Sequence, residues 1–430
     1  MVYGSWGLLC KGFPMQRRHF LRHLVASGTV VYSARTGAGN DNDSQDLEQK
    51  LRAVLAEPVL DLTCVHDPVR VASIELLRHE RTFLLRTRSS EGLEVITVPN
   101  PERMADFYPV LLRRVIPVFL GKDARRLEEL LWEVYRAQSN YKLQGMALWP
   151  SVAAVEMGLL ELMGRAADRP VADFFGGRRR STIDVYVASG NRGNRPEEEL
   201  EYLQKLVAES GARALKFRVG GRMSRNADSL PGRSETLIRT ARELFGDTMT
   251  LYVDSNSSYD VREAVRIGRL LEEYRYGFFE EPCEFDDLWS TKQVADTLQI
   301  PIAGGEQEFS MHRWRWTIAN RAVDIVQPDI HYGGGMIRAT QVARMAAVAG
   351  LPVVPHMSGG GLGYLDVVYF ASFTANIGPF MEFKGNTTVP VWAPDSSLRC
   401  EHGSVRCPGG PGFGIQIDPD FVRKAVPVTL

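Results

Sequence analysis

Three acidic residues, Asp254, Glu280 and Glu306, each close a short apolar run, in TLYVDSN, GFFEEP and IPIAGGE, and they stand at equal intervals of 26 residues (254, 280, 306). Runs this short, rich in β-branched and aromatic residues and separated by enough chain for a helix, read as buried parallel strands. A strand, a helix and two loops fill such an interval. Each carboxylate therefore falls at the same level of a repeating βα unit, at the carboxyl end of its strand. Three carboxylates brought to one end of a barrel repel one another, and a hard divalent cation resolves the repulsion. An oxygen-only donor set suits Mg2+, with Mn2+ as the alternative, better than zinc. A lone Glu-Glu-Pro would be an ordinary acid before a proline turn; the repetition makes it a metal site.

The elements that hold these residues can be counted. From Ile183 strand and helix patterns alternate, which predicts a parallel barrel. IDVYVAS (183–189) is its first strand and ALKFRV (214–219) its second; the three acidic runs are the third to fifth. DIVQPD ends at Asp329, LPVVPH ends at His356, and PFMEF carries Glu382, at intervals that stay close to the same unit length. Only the gap between Lys216 and Asp254 is long, and its polar GGRMSRNADSLPGR reads as a surface loop.

Ahead of the barrel, residues 58–180 read as a small α+β domain: VASIELLR and RTFLLRTRSSEGLEVIT as antiparallel strands, then helices near 102–119, 123–138 and 149–168. In the last of these Val152, Val155, Leu159, Leu162 and Met163 build one apolar face. Residues 181–390 are the barrel. The tail 391–430, with Gly409, Gly410, Gly412 and several prolines, is expected to be irregular and to pack back on the first domain.

The amino terminus, residues 1–38, holds Arg17-Arg18 followed by Phe20-Leu21 and a weak apolar stretch to Ala34. This resembles a twin-arginine export signal over about 15–34, which carries folded proteins to the periplasm or beyond; otherwise the protein is cytoplasmic. Met15 is the better signal start, and the mature chain is expected to begin near 34–40, ahead of a polar linker from Gly37 to Ser44. The stretch is too short and polar to span a membrane.

The whole chain of 430 residues, 44% hydrophobic, is ample for such a pair of domains. Its 51 basic and 52 acidic residues leave a net charge of −1, so no overall field draws it to nucleic acid or to an anionic membrane. Cys10, Cys64, Cys283, Cys400 and Cys407 lack the paired spacing of a zinc site and read as free thiols.

From the second barrel strand onward every strand end offers a polar side chain to one face: Lys216 and Arg218, Asp254 and Asn256, Glu280, Glu306, Asp329, His356 and Glu382. That order resembles the enolase superfamily, and within it the mandelate racemase/muconate lactonizing enzyme group, of the acid-sugar dehydratase type, over roughly residues 58–420. The resemblance implies an α/β protein, a modified TIM barrel of the (β/α)7β type under an α+β capping domain. It implies that Asp254, Glu280 and Glu306 hold Mg2+ and that Asp329 and His356 form a proton-transfer pair. It also implies that Glu382 hydrogen-bonds the substrate carboxylate and that Asn256 contacts a substrate hydroxyl. Lys216 and Arg218 occupy the group's KxK position, and barrels of this family commonly assemble, so a homo-oligomer is expected.

Physical chemistry supports these roles. Loss of a proton α to a carboxylate makes an enediolate, whose adjacent negative charges need a cation. His356, oriented by Asp329, can give or take a proton near neutral pH. Lys216 and Arg218, two apart on a strand, point to one side, and a lysine beside a guanidinium and a metal is expected to have a lowered pKa and so to act as a base. Arg218 departs from the group's second lysine and is a poor base; it is expected to grip a carboxylate or a departing hydroxyl. A racemase needs opposed bases, so the departure favours dehydration of a sugar acid to a 2-keto-3-deoxy acid. A racemase or epimerase of a hydroxy or amino acid is the second reading, and an exported binding protein without turnover the third. His331 and Tyr332 read as surface loop, and the glycines of HYGGGM and SGGGLG as tight turns rather than a phosphate cradle. The turn bearing Arg78, His79 and Arg81 looks too short to cover the barrel mouth as the resembling family's loop does.

Overall fold

The computed structural model describes residues 41–359, 361–385 and 387–430. The expected export signal at 15–34 and mature start near 34–40 lie outside the described residues. A helix, Asp41–Ala56, begins inside the stretch expected to be linker. Leu47–Leu430 is one compact unit and is described by itself; among the described residues no helix is long and apolar enough to cross a membrane.

The cap is built on three antiparallel strands, Val71–His79, Thr82–Ser89 and Glu94–Thr97. Its first helix, Pro101–Val110, starts at Asn100, whose side chain accepts from the Arg103 amide, and has proline at its first position, where no donor is missed. The single helix expected over 102–119 is broken by a π turn at Leu111–Val115 before Ile116–Phe119. Pro117 has no N–H to give, so the ladder must widen to pass it. After Leu127–Arg136 comes the central helix Trp149–Ala166. One apolar face was expected here, but every residue from Trp149 to Gly164 is buried, Glu156 and Glu161 included, because the helix lies between the cap sheet and the barrel. Glu156 accepts from the Ile337 amide at 3.1 Å on the barrel side.

The barrel strands are Thr182–Ala188, Ala214–Arg218, Thr250–Asp254, Phe278–Glu280, Ile302–Gly304 and Ile325–Val326, each parallel to the next. The seventh shrinks to bridges, Val353 with Val326 and Ile377, and His356 with Asp329. Pro352 and Pro355 withhold the donors a longer ladder needs. The eighth, Met381–Phe383, pairs in parallel with the first and closes the ring. Seven helices follow the first seven strands, from Pro196–Ser210 to Gly363–Phe373. The result is the expected (β/α)7β barrel with an α+β cap.

Inside it Tyr252 stacks on Phe278 at 3.8 Å and Tyr186 meets Tyr252 edge-on at 5.4 Å, an aromatic floor beneath the strand ends. The tail is more regular than its glycines and prolines suggest, since they punctuate short strands. Ser404–Arg406 pairs antiparallel with the first barrel strand, and Val426–Pro427 adds an edge to the cap sheet against Leu77 and Arg78. The turn after them packs on this tail, His79 edge-on to Phe421 at 4.8 Å.

The cap meets the barrel at the turn after the sixth strand. Gly335 sits there at φ +113°, and a Cβ at that position would overlap the buried Glu156 carboxylate. Gly335→Ala should therefore destabilise the protein by about 2–3 kcal/mol, strain and overlap together, as a lowered midpoint in urea unfolding; an unchanged midpoint would mean that cap and barrel are not locked at this turn.

Candidate active site

The second barrel strand is buried along its whole length, so its polar residues must find charge partners inside the barrel. Lys216, fully buried over the Tyr186 ring, places Nζ 2.7 Å from Glu280 Oε2 and 3.4 Å from Glu382 Oε1. Arg218 pairs with Asp254. The lysine pKa was expected to fall beside a guanidinium and a bound metal; with no cation among the carboxylates the balance is different. Burial works against the Lys216 charge, but Glu280 and Glu382 outweigh it and hold the pKa well above the ordinary lysine range. In the metal-free protein Lys216 is thus held as a positive charge between two carboxylates.

Asp254 and Glu280 close their strands and Glu306 lies two residues past its own, and carboxylate oxygens of the three lie within 4.8 Å of one another. All three are buried, and Glu280 Oε1 has no hydrogen-bond partner. A buried all-carboxylate set with an orphaned oxygen fits a hard divalent cation, which can accept several such donors at once. Asn256, at φ +41°, curls back so that its amide N–H and side-chain Nδ2 donate to Asp254 at 2.7 and 3.2 Å. Gln327 of the sixth strand end donates to Glu280 Oε2 at 3.1 Å.

Glu281 was not expected to join them. Strand alternation sends it away from Glu280, but the backbone turns to φ +42° at that residue and Glu281 is buried too, its Oε1 unpartnered. Burial and then Glu280 push its pKa up to about 7; burial and then Glu281 push Glu306 up to about 8. The doubled acid before Pro282 was the only sequence signal.

Facing this cluster is the pair on the sixth and seventh strands. His356 Nδ1 lies 2.7 Å from Asp329 Oδ2, and Nε2 lies 3.3 Å from Glu306 Oε2. Burial opposes a charge on His356, yet Glu306 and Asp329 together push its pKa up to about 9. Glu382, on the eighth strand, accepts from the Met357 amide at 3.0 Å; burial opposes its ionisation, but Lys216 and Lys384 hold it well below the usual carboxylate range.

His331 and Tyr332, expected on a surface loop, turn inward: His331 is buried against the seventh barrel helix and Tyr332 half-buried beneath Arg103 of the cap. His331 Nε2 meets the half-buried Asp366 at 2.8 Å. The Tyr332 amide donates to Asp329 Oδ1 at 2.7 Å, fixing the carboxylate that fixes His356. The glycine runs form turns, with Gly334, Gly335, Gly359 and Gly361 at positive φ. Lys216, Arg218, Asn256, the three acids, Asp329, His356 and Glu382 thus all meet at one end of the barrel. Arg192 also reaches the cluster, from the loop after the first strand, where no spacing marked it.

The family model described as "Enolase C-terminal domain-like" matches residues 198–421, and that of the "Mandelate racemase / muconate lactonizing enzyme, N-terminal domain" matches residues 57–176. Arabinonate dehydratase of Saccharolobus solfataricus is 29% identical over 318 residues, which cover 73% of this chain and 82% of that one. A solved structure from Roseobacter denitrificans, provisionally called a racemase, is 32% identical with a TM-score of 0.77, over 84% of this chain and 99% of that one. The mandelate racemase/muconate lactonizing protein of Paracoccus denitrificans, complexed with magnesium, is 25% identical with a TM-score of 0.75, over the same shares. With both domain models in register on the cap and the barrel whose strand ends carry this constellation, the chain belongs to the mandelate racemase/muconate lactonizing enzyme group of the enolase superfamily.

Proposed function

We propose that this enzyme removes the proton α to the carboxylate of a hydroxy acid with the help of Mg2+, and that its reaction is the dehydration of a sugar acid to a 2-keto-3-deoxy acid. The carrying observation is the buried triad Asp254, Glu280 and Glu306, with the fixed charge of Lys216 on one side and the His356–Asp329 pair on the other. Bound among the three carboxylates, Mg2+ would supply the positive charge an enediolate needs and offset Glu306, the largest upward pull on His356. Mn2+ suits the same oxygens.

His356 Nε2, held by Asp329 through Nδ1, takes the α proton and returns it to the β hydroxyl, which leaves as water. The resulting enol becomes the 2-keto acid. Lys216 and Glu382, neighbours in one ion-pair network, hold the substrate carboxylate, Lys216 by charge and Glu382 by hydrogen bonding; Arg218 and Asn256 meet its hydroxyls. The relative named arabinonate dehydratase supports this reading. A racemase or epimerase is the second reading, favoured by Lys216 standing across the triad from His356 and by the similarity to a protein called a racemase. Arg218, a poor base where the group has its second lysine, argues against a second base.

With Mg2+ present, a screen of sugar acids should give 2-keto acid formation, lost by a factor of about 10² or more in His356→Asn and abolished in Glu280→Gln. Exchange of the α hydrogen for deuterium without loss of water would instead select the racemase reading.

The metal proposal has its own signature. Glu281, Glu306 and His356 bind protons in the folded protein at about 7, 8 and 9, above the ordinary values of 4.5 for Glu and 6.5 for His. A raised folded pKa contributes stability below the unfolded value and loses it as pH rises through the folded one. The metal-free protein should therefore lose thermal stability as pH rises from about 4.5 to 9. Mg2+ competes with those protons, so the rise in Tm it produces should grow over the same range. Melting curves in EDTA and in Mg2+ across that range test this, and a pH-independent or absent Mg2+ shift would count against a cation at the triad.

We also infer from Arg17-Arg18 that residues 15–34 export the folded chain. Expressed with its amino terminus intact, the protein should then be recovered from the periplasm as the shortened mature chain, and a double Arg17→Lys/Arg18→Lys variant from the cytoplasm uncleaved.

A further inference from the structure

The positive side of the mouth is not used up by the reaction described. Arg192, on the loop after the first barrel strand, donates to Asn256 Oδ1 at 2.6 Å, and Asn256 in turn holds Asp254. Its Nε is buried without a partner, and among the described residues Arg192 makes no ion pair. Beside it Arg218, only 5% exposed, also has a buried Nε without a partner. Nitrogens of two guanidiniums are thus left unsatisfied within one amide of a metal-site carboxylate.

The loop that presents Arg192 is fastened. Arg233, 1% exposed, spends its guanidinium on backbone: Nε to Asn194 O at 2.7 Å, one terminal nitrogen to Arg218 O at 2.9 Å and the other to Asn191 O at 3.3 Å. Asn194 is also held, donating to Glu199 at 2.9 Å. Burying an arginine to brace the loop on both sides of Arg192 makes sense where Arg192 must be aimed. The charges bearing on Arg192 include Arg218, Arg222 and Arg233, and together with burial, the larger cause, they push its pKa down to about 9. An anion beside it would relieve both the charge repulsion and the missing hydrogen bonds.

We propose that Arg192, aimed by Arg233 and flanked by Arg218 and Asn256, binds a second anionic group at the far end of the substrate. The preferred substrate is then an acid charged at both ends, its first carboxylate at the metal site and its second group, carboxylate or phosphate, on the planar fork of Arg192. This rests on the sugar-acid reading above and narrows it.

The test is calorimetric, on the Mg2+-loaded His356→Asn protein so that ligands are not consumed. The probes are stereoisomeric C6 aldonates, each paired with its aldarate and its 6-phosphoaldonate. For at least one configuration a doubly anionic member should bind about 10- to 100-fold more tightly than its aldonate, the worth of a charged hydrogen-bond pair. Arg192→Gln should bring that preference to within about threefold, and Arg192→Lys should restore part of it. If Arg192→Gln does not fold, Arg192→Lys is read alone, and an undiminished preference in it overturns the subsite. Preference for the aldarate identifies the distal group as carboxylate, and preference for the phosphoaldonate as phosphate. Aldonates that bind as tightly as their doubly charged partners, or a preference that survives Arg192→Gln, overturn the subsite while leaving the sugar-acid reading in place. Silence from all three series overturns both.

Discussion

Mutual repulsion of carboxylates buried in one low-dielectric mouth is the constraint on which the rest of this structure depends. Asp254, Glu280, Glu281, Glu306, Asp329 and Glu382 are all buried at the same end of the barrel, where unscreened like charges push one another toward the neutral form. The chain answers with Lys216 against Glu280 and Glu382, Arg218 against Asp254, and His356 between Asp329 and Glu306. The answer is uneven. Where a lysine sits close, Glu280 and Glu382 stay ionised against the cost of burial; Glu281 and Glu306, farther from fixed charge, keep their protons to about 7 and 8. A divalent cation held among these oxygens would offset that residual imbalance.

The cap matters to the chemistry through contacts that do not themselves react. Its central helix carries Glu156 into the turn after the sixth strand, and this turn delivers the Tyr332 amide to Asp329. Asn100, which starts the first cap helix, also donates to Ser358 just beyond His356. Each side of the Asp329–His356 pair is therefore tied to the cap by a buried polar contact, and cap docking and the aim of His356 are one packing problem.

Much of this was legible beforehand because parallel strands in a barrel repeat. A constant interval puts successive strand ends at one level, so Asp254, Glu280, Glu306, Asp329, His356 and Glu382 could be placed together from spacing alone. The same logic misplaced Glu281, because alternation stops where the backbone leaves the strand, and a positive φ one residue past Glu280 leaves no mark on a sequence. It also missed Arg192, whose loop has no period and is positioned by Arg233 from a helix some forty residues on. The short cap strands and helices were seen, but not the π turn that Pro117 imposes or the tail strands.

The amino-acid sequence by itself determined the fold class, the level of each strand end and the chemical types gathered there, because those follow from periodicity and side-chain identity. Only the tertiary structure decided how the charges are shared. Whether Lys216 is a base or a fixed cation depends on Glu280 and Glu382 lying within ion-pair distance of its Nζ. They come from strands 64 and 166 residues away (216 to 280, 216 to 382), and electrostatic energy is set by distance through the barrel, not along the chain.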